Sequence, residues 1–159
     1  MPTVFDVADY FIAAATPEEG ITNLKLQKMC SYAQAVSLAY LGAPLFTDDR
    51  IQAWPFGPVI PSLYRKYAKW DRSPIDPAKD KTHALKEFTN TQRLILATVQ
   101  EYCGRFSAWG LQGRSHEDFP GDFGSKEVIL NEDIAAAFAD NHLVLALKEA
   151  DDFYGALET

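Results

Sequence analysis

Three side chains able to do chemistry stand together at His116, Glu117 and Asp118, inside the string HEDFPGDFG. An imidazole beside two carboxylates is the start of a general base or of a metal site. A nucleophile also needs a base within hydrogen-bond reach and a third group to orient it. The other histidines, His83 and His142, do not lie at ligand spacing from His116. No glycine-rich phosphate cradle follows a strand, and no serine stands in a glycine-flanked elbow. Cys30 and Cys103 lack the paired spacing of zinc ligands, are too few for a disulfide framework, and fall in apolar helical stretches where small buried hydrophobes belong. The expectation is no catalytic residue, no metal and no cofactor, with a small hydrolase centred on His116 as the enzymatic alternative.

A second chemistry is polyanion binding. Arg65, Lys66, Lys69 and Arg72 lie beside Tyr64, Tyr67 and Trp70, a basic face with aromatic neighbours that phosphates and stacked bases can use. Against it stands the net charge of -7. Residues 1–115 carry 13 Lys/Arg against 11 Asp/Glu, net +2, whereas residues 116–159 carry 2 against 11, net -9. Duplex binding draws its affinity from Lys and Arg neutralising phosphates, so direct nucleic-acid binding is not expected. A nucleic-acid-associated regulator using the basic helix 61–72 remains the alternative, while the acidic last quarter suits a basic protein partner.

The aromatic residues point to a third chemistry, protein recognition. Trp54, Phe56, Tyr64, Tyr67, Trp70, Trp109, Phe119 and Phe123 exceed what one small core needs, and several sit in proline-stiffened loops. Tyr and Trp held on rigid loops lose little entropy on binding and anchor interfaces.

The elements that must position these groups are mostly helical. Thr3 with Asp6 forms a capping box for a first helix that Pro17 to Gly20 ends, and Thr22 or Asn23 caps a second running to Tyr40 or Leu41, where Gly42 and Pro44 stop it. Leu26, Met29, Cys30, Ala33, Val36 and Tyr40 keep helical spacing, and Leu24, Tyr32, Ala35, Leu38 and Ala39 widen the apolar surface beyond one stripe, which predicts burial on several sides. Arg50 to Trp54 reads as a short strand, followed by a stiff loop through Pro55, Gly57 and Pro58 and a helix from Pro61 to Trp70 on which Leu63, Tyr64 and Tyr67 share a face. Asp71 to Phe88 is the longest irregular connection; Thr89 with Gln92 caps a helix that Gly104 closes, and Ser107 caps one to about Ser115. Val128 to Leu130 pairs as a strand or staples a helix capped by Asn131 over Ile134 to Ala139, and His142, Leu143, Leu147, Ala150, Tyr154 and Leu157 mark a long last helix. The fold class is mainly α, one compact helical domain over residues 1–159 around a central buried helix, with a small β element. No run of about 18 apolar residues and no secretory leader occurs, so a cytoplasmic protein without membrane association is expected.

Several of these strings carry a resemblance. Ile21 to Met29, Tyr32-Ala33-Gln34, Pro44-Leu45-Phe46, and Ala53 to Pro61 with Tyr64 closely resemble the Panacea domain of SocA-like antitoxins, also found among phage-associated bacterial proteins. The departure lies at Ser115-His116-Glu117-Asp118-Phe119-Pro120-Gly121, where the family tends to read Thr-His-x-Glu-x-Pro-Trp. The resemblance implies an antitoxin that neutralises a cognate protein toxin by direct binding, with a further role as a proteolytic adaptor delivering the toxin to the ClpXP protease. The expected toxin-binding residues are Trp54, Phe56, Gly57, Pro58, Tyr64, Arg65 and Lys69, with the acidic C-terminal quarter as a second contact. Leu24, Gln27, Tyr32, Gln34, Pro61 and His116 are expected to be structural members of the motif.

Overall fold

The computed structural model describes residues 1–15, 20–76 and 85–158, with the side chains of residues 153–158 outside that description. The elements run α1 (Val4–Ala14), α2 (Asn23–Leu41), β1 (Gln52–Trp54), β2 (Gly57–Val59), α3 (Pro61–Tyr67) with a 3-10 turn Ala68–Trp70, α4 (Asn90–Gly104), α5 (Ala108–Asp118), α6 (Asn131–Phe138) and α7 (His142–Glu158). The expected stop at Pro17, the connection through Pro77, His83, and the inward positions Tyr154 and Leu157 lie outside the described residues or side chains.

α2 is the axis. Thr22 Oγ1 accepts from the Lys25 amide and Gly42 closes the helix at φ 70°, the left-handed stop that lacks a Cβ penalty. Fourteen of its 19 residues are buried, so the middle of the helix has no solvent face. It packs against α1, α3, α4, α5, α6, α7 and β2, and one apolar core forms around it. Tyr32 sits at the centre of that core with its ring edge-on to Tyr102, Phe119 and Phe138. Both capping boxes form, Thr3 with Asp6 and Thr89 with Gln92. Among the described residues no helix is long and apolar enough to cross a membrane.

Several boundaries differ from expectation. α5 runs three residues past Ser115, so His116, Glu117 and Asp118 lie in its last turn rather than in a loop. The helix after Pro61 is α only to Tyr67 and finishes as the 3-10 turn. Gly104 stays helical and Arg105 is the right-handed cap, while α6 is capped at Leu130, one residue before Asn131, with Glu132 and Asp133 in its first turn where the dipole favours acids.

The largest difference is that the proline loop is itself a strand. β1 and β2 form an antiparallel hairpin in the register Gln52↔Val59, Ala53↔Pro58, Trp54↔Gly57. Proline fits because Ala53 turns its backbone the other way: its N–H donates to Glu127 O and its carbonyl accepts from Gly124 and Lys126. Ala53 and Pro58 are therefore a non-hydrogen-bonded pair, the one place in a ladder where a missing N–H costs nothing. The contribution expected from Val128 to Leu130 is a single bridge, Gln52↔Val128, continued by Ile129 N–H donating to Ile51 O.

Candidate partner-binding surface

α2 holds the hairpin by a row of buried polar groups on one of its faces. Asn23 Nδ2 donates to Tyr64 O at 3.1 Å and Gln27 Nε2 to Asn23 Oδ1 at 2.8 Å, while Gln27 Oε1 accepts the Ile60 N–H at 2.9 Å. One residue on, Lys28 is fully buried and its Nζ donates to Pro58 O at 3.0 Å. Burial is what pulls the Lys28 ammonium down to about 7. Higher on the helix, Gln34 Nε2 donates to Phe46 O at 2.8 Å, and Gln34 Oε1 accepts from Leu45 and Phe46. Gln27 and Gln34 are thus ties within the core, each bound to chain distant from it, as is Tyr32 through its hydroxyl, which donates to Asp118.

These ties leave neither edge of the hairpin free. Residues 124–129 occupy the outer side of β1, and on β2 Pro58 offers no N–H and gives its carbonyl to Lys28. A partner extending the sheet has no ladder to join, which leaves side chains as the groups the hairpin offers.

The turn Pro55–Phe56 projects beyond these ties. Gly57 follows it at φ 101°, and a Cβ there would lie 2.9 Å from Ser115 Oγ and 3.3 Å from Lys28 Cε, so only glycine fits. Phe56 is 55% exposed at the tip, Tyr64 is 39% exposed on α3, and Trp109 is 72% exposed at the start of α5. Together they border a groove of about 680 Å³ that is also lined by Leu24, Ala68, Asp71, Arg72 and Ala108. Large aromatics this exposed around a concavity are costly to leave in water and form the default binding surface.

The expected toxin contacts divide on this geometry. Phe56, Tyr64, Arg65 and Lys69 are exposed. Trp54 is half-buried behind them as a buttress: its ring lies 5.1 Å from Tyr64, its Nε1 donates to Gln52 Oε1, and Lys126 Nζ sits 5.0 Å over it. Gly57 and Pro58 are buried and face α2, where they shape the turn from beneath. Pro61 is buried at the first position of α3, and Leu24 is half-buried beside the groove. Tyr64 leaves the inward face shared by Leu63 and Tyr67, because one step of about 100° carries it to the rim. Tyr67 and Phe119, counted among the surplus aromatics, are core. Trp109 is a groove residue absent from the expected contacts. The signal for it lies in its spacing two residues from the buried Leu111, which turns it to the opposite side of the helix.

The His116, Glu117 and Asp118 trio does not converge. Asp118 Oδ2 accepts the Tyr32 hydroxyl at 2.5 Å, and burial followed by that bond drives the phenol's pKa far up. Glu117 pairs on the surface with Arg114 at 3.5 Å. His116 faces two backbone carbonyls, Gln112 O from Nδ1 at 2.9 Å and Pro55 O from Nε2 at 3.2 Å, with Phe123 against its ring. Cys30 and Cys103 are buried free thiols, pushed well up by desolvation and so far from nucleophilic thiolates. Among the described residues no group of His, Cys, Asp or Glu is arranged to hold a metal ion. On the basic face, Lys66 lies over Phe5 and Tyr67 and Lys69 over Trp70, so two of its four cations cover aromatic rings of this chain.

A family model described as "Antitoxin SocA-like, Panacea domain" matches residues 26–120, more than half of the chain. The match starts within α2, takes in the hairpin, α3 and α4, and ends just past α5. No curated protein and no solved structure matches this chain.

Proposed function

The chain belongs to the SocA-like Panacea antitoxin family, and from that premise we propose that it is the antitoxin of a toxin–antitoxin pair, neutralising a protein toxin by direct binding. The observation that carries this reading is the groove bordered by Phe56, Tyr64 and Trp109, three exposed aromatics on backbone that α2 holds in place. Preorganised aromatic anchors of this kind convert contact area into affinity with little ordering cost. Arg72 lines the groove, and Arg65 and Lys69 are exposed in the segment that carries Tyr64, which favours a toxin segment with acidic residues next to its apolar ones. The exposed carboxylates Glu132 and Asp133 of α6, Asp140 in the turn after it, and Glu149, Asp151 and Asp152 of α7 supply a second contact for basic toxin surface.

The unit that does this is residues 1–159 acting as one domain. In support, α1, α6 and α7, which lie outside the matched stretch, pack on α2 and share its core.

The experiment is co-expression of the adjacent gene with and without this one. Growth arrest by the neighbour alone, relieved by the wild-type chain and not by Phe56→Ala with Trp109→Ala, is the expected result. A harmless neighbour, or toxicity untouched by the wild type, sinks the proposal. The adaptor form of the reading has its own measurement: the toxin's half-life shortens when this protein and ClpXP are both present, and stays unchanged when ClpXP is deleted.

A further inference from the structure

We propose that His116 is the positioning residue of the presented turn, a proton-dependent latch that holds the Pro55–Phe56 tip only as the imidazolium. Both ring nitrogens face backbone carbonyls, Nδ1 toward Gln112 O at 2.9 Å and Nε2 toward Pro55 O at 3.2 Å. A carbonyl oxygen only accepts, and neutral imidazole has a single N–H. Two donations at once require the second proton. When the ring loses it, the remaining N–H stays on the shorter, better shielded bond to Gln112, within the same helix. A nitrogen lone pair then faces the Pro55 carbonyl, and a tether between residues 61 apart in sequence becomes a repulsive contact. The released peptide is the one that carries Phe56.

The surroundings keep this response with His116. Phe123, 4.6 Å away between ring centroids, is uncharged. From its own helix, Arg114 and Glu117 pair with each other and Asp118 accepts from Tyr32. The hairpin turn has no charged residue, and the loop after α5 brings Asp122 and Lys126, the latter over Trp54. From α2, Lys28 reaches Pro58 O; it titrates too, but an amine and an ammonium both keep N–H groups, so that bond survives in either form. Among the described residues no carboxylate is ion-paired with the ring.

The latch is a property of the free chain; its effect on toxin affinity rests on the antitoxin reading above. The test is NMR of the isotopically labelled protein between about pH 5.5 and about pH 8, a range that brackets the ordinary histidine titration. The Pro55 carbonyl carbon and the Phe56 amide nitrogen bonded to it are expected to move with the same midpoint as both His116 ring nitrogens. In His116→Gln, which keeps a donor and does not titrate, they are expected to stay still. A His116 titration that leaves the Pro55–Phe56 peptide unmoved overturns the latch, and if the variant does not fold the wild-type titration decides alone. With the neighbouring gene's product as probe, wild-type affinity should fall about fivefold across the range, the loss of one hydrogen bond of ordinary net worth, and His116→Gln affinity should not change. Equal pH dependence in both proteins also overturns it. Failure of that product to bind at any pH counts against the antitoxin reading, and the NMR titration then decides the latch by itself.

Discussion

Replacing Lys28 by methionine is expected to stabilise this protein, although it deletes a hydrogen bond from the core. Lys28 is fully buried, has one acceptor among the described residues, Pro58 O, for as many as three N–H groups, and burial lowers its pKa from the ordinary 10.5 to about 7. A lysine whose folded pKa lies below its unfolded one leaves the unfolded chain holding more protons, so stability rises with pH between the two values and the contribution is fully lost below about 7. At about 1.4 kcal/mol per pH unit, the cost near pH 7 is about 4 kcal/mol relative to a side chain that never charges. Methionine has similar length and volume and removes that cost, but strands the Pro58 carbonyl, worth about 1–3 kcal/mol. The net expectation is a gain of about 1–3 kcal/mol near neutral pH.

The pH dependence is the sharper measurement. By urea denaturation, wild-type stability should rise by about 1.5 kcal/mol from about pH 7 to about pH 8.5 through Lys28. The buried thiols Cys30 and Cys103 act oppositely, because burial keeps them protonated in the fold. Over that interval they subtract about 0.3 kcal/mol together, and they cancel in the difference between wild type and variant. The gap between the two proteins should therefore narrow as pH rises. A constant gap, or a variant less stable than wild type near pH 7, would refute the premise that Lys28 is held in the core against its charge.

Other expectations follow from the same hairpin and its neighbours. Gly57→Ala must place a Cβ at φ 101° and 2.9 Å from Ser115 Oγ, and should cost about 2–4 kcal/mol in thermal or urea unfolding; a loss under about 0.5 kcal/mol would mean the turn adapts freely. Phe56→Ala and Trp109→Ala should each weaken toxin binding about tenfold or more while helical circular dichroism and melting temperature hold, since both side chains are exposed; unfolding instead would assign them to the core. Tyr32→Phe removes the donor to Asp118 without opening a cavity and should cost about 1–3 kcal/mol, with no change in toxin affinity measured by titration calorimetry.

For several features that depend on residues a few positions apart, the sequence alone was enough. Thr3 with Asp6, Thr89 with Gln92 and the left-handed stop at Gly42 are local hydrogen-bonding or backbone effects that appear where their spacing placed them, and of the two candidate caps Thr22 and Asn23 it is Thr22 that accepts from Lys25. The breadth of apolar surface on α2 likewise foretold a helix buried on several sides. Tertiary structure decided the rest, because its causes are distant in sequence. Gly57-Pro58-Val59 becomes a strand only since Ala53 pairs away toward residues 124–127, and Lys28 turns inward only because Pro58 O waits 30 residues on. Asp118 left its neighbours for Tyr32, 86 residues earlier, which dissolved the acid and base trio that its local string suggested. The groove is of the same kind: Phe56, Tyr64 and Trp109 have no common period along the chain, and meet because a hairpin and two helices pack on one axis.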